Sequence, residues 1–221
     1  MRYDILAAMN SASILPTEEN VRRACKQFDD DPIVEEALKD LFTQYPRNDD
    51  HPHVLLKVVA LNRLYSAGIY AVYDAARHIH EHAQVIDSGL AAGSPEVVDL
   101  ITAVPIKATG KVLHFWCFAT KYCSWHNPRS YPIWDAHVRE YLTWLRQRPE
   151  GRFLVKAPDS WTKYAEFVDM INNLRKLDTL SGCEFSFKQI DKFLYTEGGK
   201  LIAEKKRLCA AKKHTAASTQ L

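Results

Sequence analysis

Residues 110–141 read GKVLHFWCFATKYCSWHNPRSYPIWDAHVREY. From Val112 to Cys123 the apolar side chains fall on every face of a helical turn, with no glycine or proline among them. That pattern predicts a helix buried on all sides. Near its end stands Lys121, and fourteen residues later, past a proline-bounded loop, Asp135 precedes a second amphipathic segment. A lysine in an apolar helix is costly unless it is paired or used. Lys121 and Asp135 are therefore the first candidates for chemistry.

Working outward, the upstream chain reads as helices. Thr17 is an N-cap, with Asn20 three residues on, for a helix over 17–30. A second is predicted over 33–43, closed before Pro46. The segment VLLKVVALNRLYSAGIYAVYDAARHIHEH (54–82) has helical spacing and a break at Ser66–Gly68, giving one bent helix or two packed ones. Gly93-Ser-Pro95 marks a loop, and Pro95 opens a helix through Val97, Leu100 and Ile101. The short connection VPIKATG then leads into the buried run.

Downstream of Asp135, Val138, Tyr141, Leu142 and Leu145 share one helix face, which Pro149–Gly151 ends. Further helices are expected over 161–174 and over 185–201, the last one coming before the basic end, residues 200–221, whose final residues AASTQL are expected to be disordered. Alternating β-branched runs and Asn-Gly hairpins are nearly absent. The expected fold class is all-α, with about nine to eleven helices forming a single domain over residues 1–221.

Composition narrows the class. A hydrophobic content of 47% with 25% charged residues describes a soluble globular chain. No apolar run approaches the roughly 18 residues of a membrane span. The first residues lack the basic-then-apolar order of a secretory signal. Five scattered cysteines are an odd number, which fits reduced thiols in a cytoplasmic protein. A net charge of +2 conceals an acid-rich stretch over 28–50 and a basic end, so a positive face is compatible with it.

The order of helix, tight hairpin, buried helix with Lys121, and Pro132-Ile-Trp-Asp135-Ala-His-Val138 opening a helix resembles the helix-hairpin-helix DNA glycosylase superfamily. The nearest likeness is to its 8-oxoguanine-glycosylase-like members. It rests on Phe118-Ala-Thr-Lys121 and on Pro132 to Val138, and it covers residues 95–146. Over 50–90 and 160–200 only helical character is shared. The family hairpin usually reads Pro-Gly-Val-Gly, whereas Pro105 to Gly110 here keeps one glycine, with Lys107 and Lys111 to supply charge.

The resemblance implies a two-lobed helical fold with a cleft between the lobes, and base excision from double-stranded DNA carrying a modified base. Lys121 would attack C1′ of the flipped nucleoside and form a Schiff base, with or without a lyase step. Asp135, at a helix start, would stay ionised and stabilise charge on the sugar or activate the nucleophile. Phe118, Tyr122 and Trp125 around Lys121 are expected to lower its pKa. Trp116, Trp125, Tyr131 and Trp134 are candidate walls of the base pocket. Lys107, Thr109, Gly110, Lys111 and Arg139 are candidate contacts to the DNA backbone.

Lys111 competes for the nucleophile's role from the start of the same predicted helix. About ten residues, or roughly 15 Å, would separate it from Lys121. Lys121 is favoured by its match and its apolar setting. The substrate would be an oxidised guanine or a hypermodified base of foreign DNA, the latter making this a defence enzyme. No cofactor, membrane or second copy is called for: the chain is expected to act as a monomer. Cys117, Cys123 and His126 match no usual zinc spacing. Cys183 and Cys209 are too few for the iron–sulfur set of some superfamily members. His78-Ile-His-Glu-His82 reads as a solvated helix end rather than a metal site. A Lys–Asp pair can also be a plain structural ion pair, which would leave a noncatalytic helical DNA-binding or adaptor protein.

Overall fold

The computed structural model describes residues 14–29, 32–180 and 182–218, and among these the chain forms ten α-helices and one small sheet. Asp30, Asp31 and the first thirteen residues lie outside the described part, as do Thr219–Leu221 and the side chains of Lys212 and Lys213.

Thr17 Oγ1 accepts the Asn20 N–H at 3.3 Å and opens α1 (Glu18–Phe28). α2 (Ile33–Gln44) follows, and Asp50 caps α3 (His51–Leu64) by accepting from the His53 N–H at 2.9 Å. Ser66 at φ 50° and Gly68 at φ 72° then turn the chain through left-handed backbone, so the long apolar segment becomes two helices, α3 and α4 (Val72–Glu81). α5 (Ala83–Ala92) and α6 (Glu96–Thr102) come next, on either side of Gly93 to Pro95.

The buried run does not form one helix. β1 (Ala103–Pro105) pairs antiparallel with β2 (Val112–His114), and only then does α7 (Trp116–His126) begin. The Ile106 N–H donates to the Lys111 carbonyl and the Gly110 N–H to the Ile106 carbonyl, both at 2.8 Å. Gly110 at φ 67° closes the turn, and the Phe115 N–H reaches the Thr102 carbonyl at 3.0 Å. Val112 and His114 are exposed while Leu113 between them is half-buried, the period-two pattern of a strand, which three residues are too few to reveal in sequence. Lys111 therefore lies in a turn and not at a helix start, and the expected helical spacing between Lys111 and Lys121 is corrected.

α8 (Ala136–Leu145), α9 (Tyr164–Arg175) and α10 (Phe187–Ser218) complete the fold. The basic end is part of α10, which runs unbroken from the core through Ser218, so Ala216–Ser218 are helical where disorder was expected. Its alanine, lysine, glutamate and leucine content favours helix, and Lys205 pairs with Glu140 of α8 while Arg207 pairs with Glu204.

The helices sort into two packing groups. α10 lies mainly against α8 and α1, whereas α3 packs on α4 and α7, and α6 on α7 and α9. One apolar cluster, from Ile14 and Val21 to Phe193 and Leu201, runs through both. Gly198 lets α10 approach α8 closely: a Cβ there would stand 2.1 Å from the His137 carbonyl oxygen. No helix among the described residues is long and apolar enough to cross a membrane.

Candidate active site

Asp135 is the N-cap of α8. Its Oδ1 accepts from the backbone N–H groups of His137 at 2.9 Å and Val138 at 3.0 Å, which uses up donors that a helix start leaves free. The residue is only 6% exposed. Burial acts to raise its carboxyl, but the hydrogen bond from His137, the Lys121 charge and the Val138 N–H outweigh it, so the group is held below the ordinary carboxylate value.

The second oxygen, Oδ2, lies 3.5 Å from Lys121 Nζ. Lys121 is 4% exposed and reaches from α7 to the end of α3, where its amine donates to the Tyr65 carbonyl at 2.9 Å. That carbonyl belongs to Tyr65, the C-cap that follows α3, where a helix end leaves carbonyl acceptors unpaired. The amine also lies 5.3 Å from the centre of the Tyr65 ring. Its surroundings are thus a carboxylate, a carbonyl and an aromatic ring instead of the apolar shell of Phe118, Tyr122 and Trp125. Tyr122 instead packs on Phe42 and Phe118 and donates to Asn48 Oδ1 at 2.6 Å.

Both side chains line a cleft of about 340 Å³ between the two packing groups. Its aromatic walls are Phe28 from α1, Tyr65 after α3 and Tyr195 from α10, with Cys117 one turn before Lys121 and Glu35 on α2. Phe28 and Tyr195 meet edge to face at 5.8 Å, and His137 packs on Tyr195 at 4.3 Å. Glu35 is tied to α10 by Lys188 at 2.6 Å and Lys192 at 3.3 Å. Burial pushes the Cys117 thiol up, which keeps it a thiol.

The four aromatic residues expected as pocket walls are elsewhere. Trp116 and Trp134 pack on Trp161, with ring centres 4.4 and 5.2 Å away. Tyr131 is fully buried, with its hydroxyl 3.0 Å from both the Gly89 and the Ser94 carbonyl oxygens, either of which can accept its one proton. Trp125 packs edge to face on Tyr65 and lines a different groove with Phe42 and Lys188. Nearness to Lys121 in sequence does not place them at its amine, because α7 is enclosed on all sides and each face meets a different neighbour. Lys107, Thr109, Gly110 and Lys111 form the exposed tip of the β1–β2 hairpin, and Arg139 is exposed on α8.

The histidine cluster differs from expectation. His78 is buried and its Nε2 lies 2.9 Å from the Leu100 carbonyl, with burial lowering its pKa, so it is no solvated helix end. His126 sits beside the buried Lys57 amine at 3.3 Å and does not reach the cleft. The five cysteines are free thiols, and no group of three or more metal-ligating side chains occurs among the described residues.

Sequence reasoning missed Phe28, Tyr65, Tyr195 and Asp191. The first three come from helices far apart in the chain, and no local pattern marks them. Asp191 carried a signal: it stands four residues after Phe187 and three before Leu194, on the face of α10 that enters the core.

A family model described as HI_0787_N, N-terminal domain, matches residues 20–130. An uncharacterized protein of Haemophilus influenzae is 29% identical over 145 residues, covering 66% of this chain and 66% of the relative, just under two thirds of the relative's length. No solved structure matches the chain. The matched stretch includes Lys121 and stops just before Asp135, so the ion pair joins the matched domain to the start of α8 beyond it. With half of its residues covered by that model, the chain belongs to the HI_0787_N family.

Proposed function

We propose that this chain is a DNA N-glycosylase that takes a modified base into the cleft and excises it, with Lys121 as nucleophile and Asp135 assisting. The observation that carries the reading is the 3.5 Å approach of Lys121 to Asp135 on the wall of a cleft whose other faces are Phe28, Tyr65 and Tyr195. Aromatic faces that stack on an extruded base offset the cost of taking it out of the duplex, about a few kcal/mol. The two packing groups on either side of the cleft support a two-lobed glycosylase-like fold.

In this reaction the Lys121 amine, having given up a proton, bonds to C1′ as the bond from C1′ to the base nitrogen breaks, and that electron pair leaves with the base. The amine gives that proton to solvent, so Asp135 keeps its charge, which faces the positive charge that grows on the sugar. The hairpin tip with Lys107, Thr109, Gly110 and Lys111, together with Arg139, would contact phosphates. The protein would act as a cytoplasmic monomer without a cofactor. Incubating it with duplexes that each carry one oxidised or hypermodified base, and measuring the free base released, tests the activity. Release that disappears in Lys121→Gln supports it, and no release from any duplex counts against it.

One observation favours a second reading. Lys121 is nearly sealed and already bonded to Tyr65 and Asp135, as a purely structural pair would be. A noncatalytic DNA-binding or adaptor protein would bind duplex equally well with Lys121→Gln and would release no base.

A further inference from the structure

Next to the cleft α10 brings in a second acid that the reaction above does not use. Asp191 is buried, and its Oδ1 accepts the Ile133 N–H at 3.1 Å while its Oδ2 has no hydrogen-bond partner. It lines a void of about 20 Å³ that also borders Asp135, Tyr65, Lys188 and Tyr195. A space of that size holds one water when two or more polar groups surround it.

The two carboxyls are shifted in opposite directions. Burial pushes the Asp191 carboxyl well above the usual carboxylate range; the Ile133 N–H and the Lys188 charge oppose this, and the Asp135 charge adds to it. A carboxyl that keeps its proton has an O–H to donate, whereas an ionised one only accepts. Asp135 Oδ1 is already occupied by two backbone N–H groups, and Oδ2 is the oxygen that faces Lys121.

We propose that Asp191 donates through a single water in this void to the Asp135 carboxylate, and is thereby a positioning residue that holds Asp135 toward Lys121. The proposal rests on the reading of Lys121 and Asp135 as the working groups, and adds a third residue to them. The charged and titratable groups facing Asp191 and its void are Asp135 at the start of α8, Tyr65 after α3, and Lys188, Lys192 and Tyr195 along α10, with Glu35 of α2 bonded to both lysines.

Carboxyl-carbon NMR of the full chain, titrated from acid to alkaline pH, tests it without any DNA. The signal that disappears in Asp191→Asn is expected to titrate well above the ordinary carboxylate range. Asp191→Leu, which has no donor, is expected to raise the proton affinity of Asp135 about tenfold, while Asp191→Asn, whose amide still donates, changes it less than about twofold. An Asp191 signal that titrates in the ordinary carboxylate range overturns the proposal. So does an Asp135 midpoint that Asp191→Leu leaves unmoved. If the titrations come out as expected and no duplex releases a base, the excision reading fails while the link between the two acids stands.

Discussion

Lys121 Nζ and Asp135 Oδ2 meet at 3.5 Å, each nearly sealed from solvent, and the same amine is bonded to the Tyr65 carbonyl at 2.9 Å. One ammonium group thus ties together α7, the start of α8 and the end of α3. Removing one partner of a buried pair leaves the other charged and alone, which costs about 3 kcal/mol or more. Lys121→Met and Asp135→Asn are each expected to lower the unfolding free energy by about that amount. Asparagine keeps the helix cap, so the loss in the second variant reports the charge. The double variant should lose clearly less than the sum in urea unfolding, and additive losses would mean that the two groups do not interact.

Gly198 meets the His137 backbone where α10 crosses the start of α8. Neither backbone can yield as a flexible side chain would. Gly198→Ala is therefore expected to destabilise the protein by about 2 kcal/mol, against the gain of up to about 1 kcal/mol that alanine gives in an open helix. A urea midpoint equal to or above that of the parent would refute the close approach.

His126 gives the protein a pH dependence. Burial, and then the Lys57 charge, lower its pKa to about 3. The unfolded chain takes up a proton on this histidine below its ordinary value of about 6.5, and the folded chain does not until about 3. Acidification through that window therefore favours unfolding, by about 1.4 kcal/mol per pH unit from this group. His126→Gln is expected to have a shallower loss of unfolding free energy between these two values. Equal slopes for variant and parent would show that His126 titrates normally.

The hairpin tip is exposed and carries Lys107 and Lys111. If both neutralise phosphates, replacing them by alanine should reduce the slope of log affinity against log salt by about 1.8 for duplex DNA. Binding curves over a range of salt concentrations measure it, and an unchanged slope would remove the hairpin from the interface.

Much of the helical order was legible because it is written locally. Thr17 with Asn20, the break at Ser66–Gly68, Pro95, and Asp135 before an amphipathic run all mark helix boundaries by their own chemistry. The β1–β2 hairpin was not legible, since Val112–His114 is too short for alternation to stand out from the apolar helix after it. At the site, Lys121 and Asp135 stand out as charges in apolar settings. The walls did not: Phe28, Tyr65 and Tyr195 are brought together only by the packing of α1, α3 and α10 around α7 and α8, whereas the tryptophans adjacent in sequence went to other faces.

The excision chemistry requires that the Lys121 amine reach a sugar carbon. Borohydride reduction of the protein with duplexes carrying modified bases or an abasic site tests this most directly, because only an imine between protein and DNA is fixed by the reductant. The expected result is a covalent adduct that maps to Lys121, persists in Lys111→Gln and is lost in Lys121→Gln. No adduct with any duplex, or one attached to a different lysine, would contradict it.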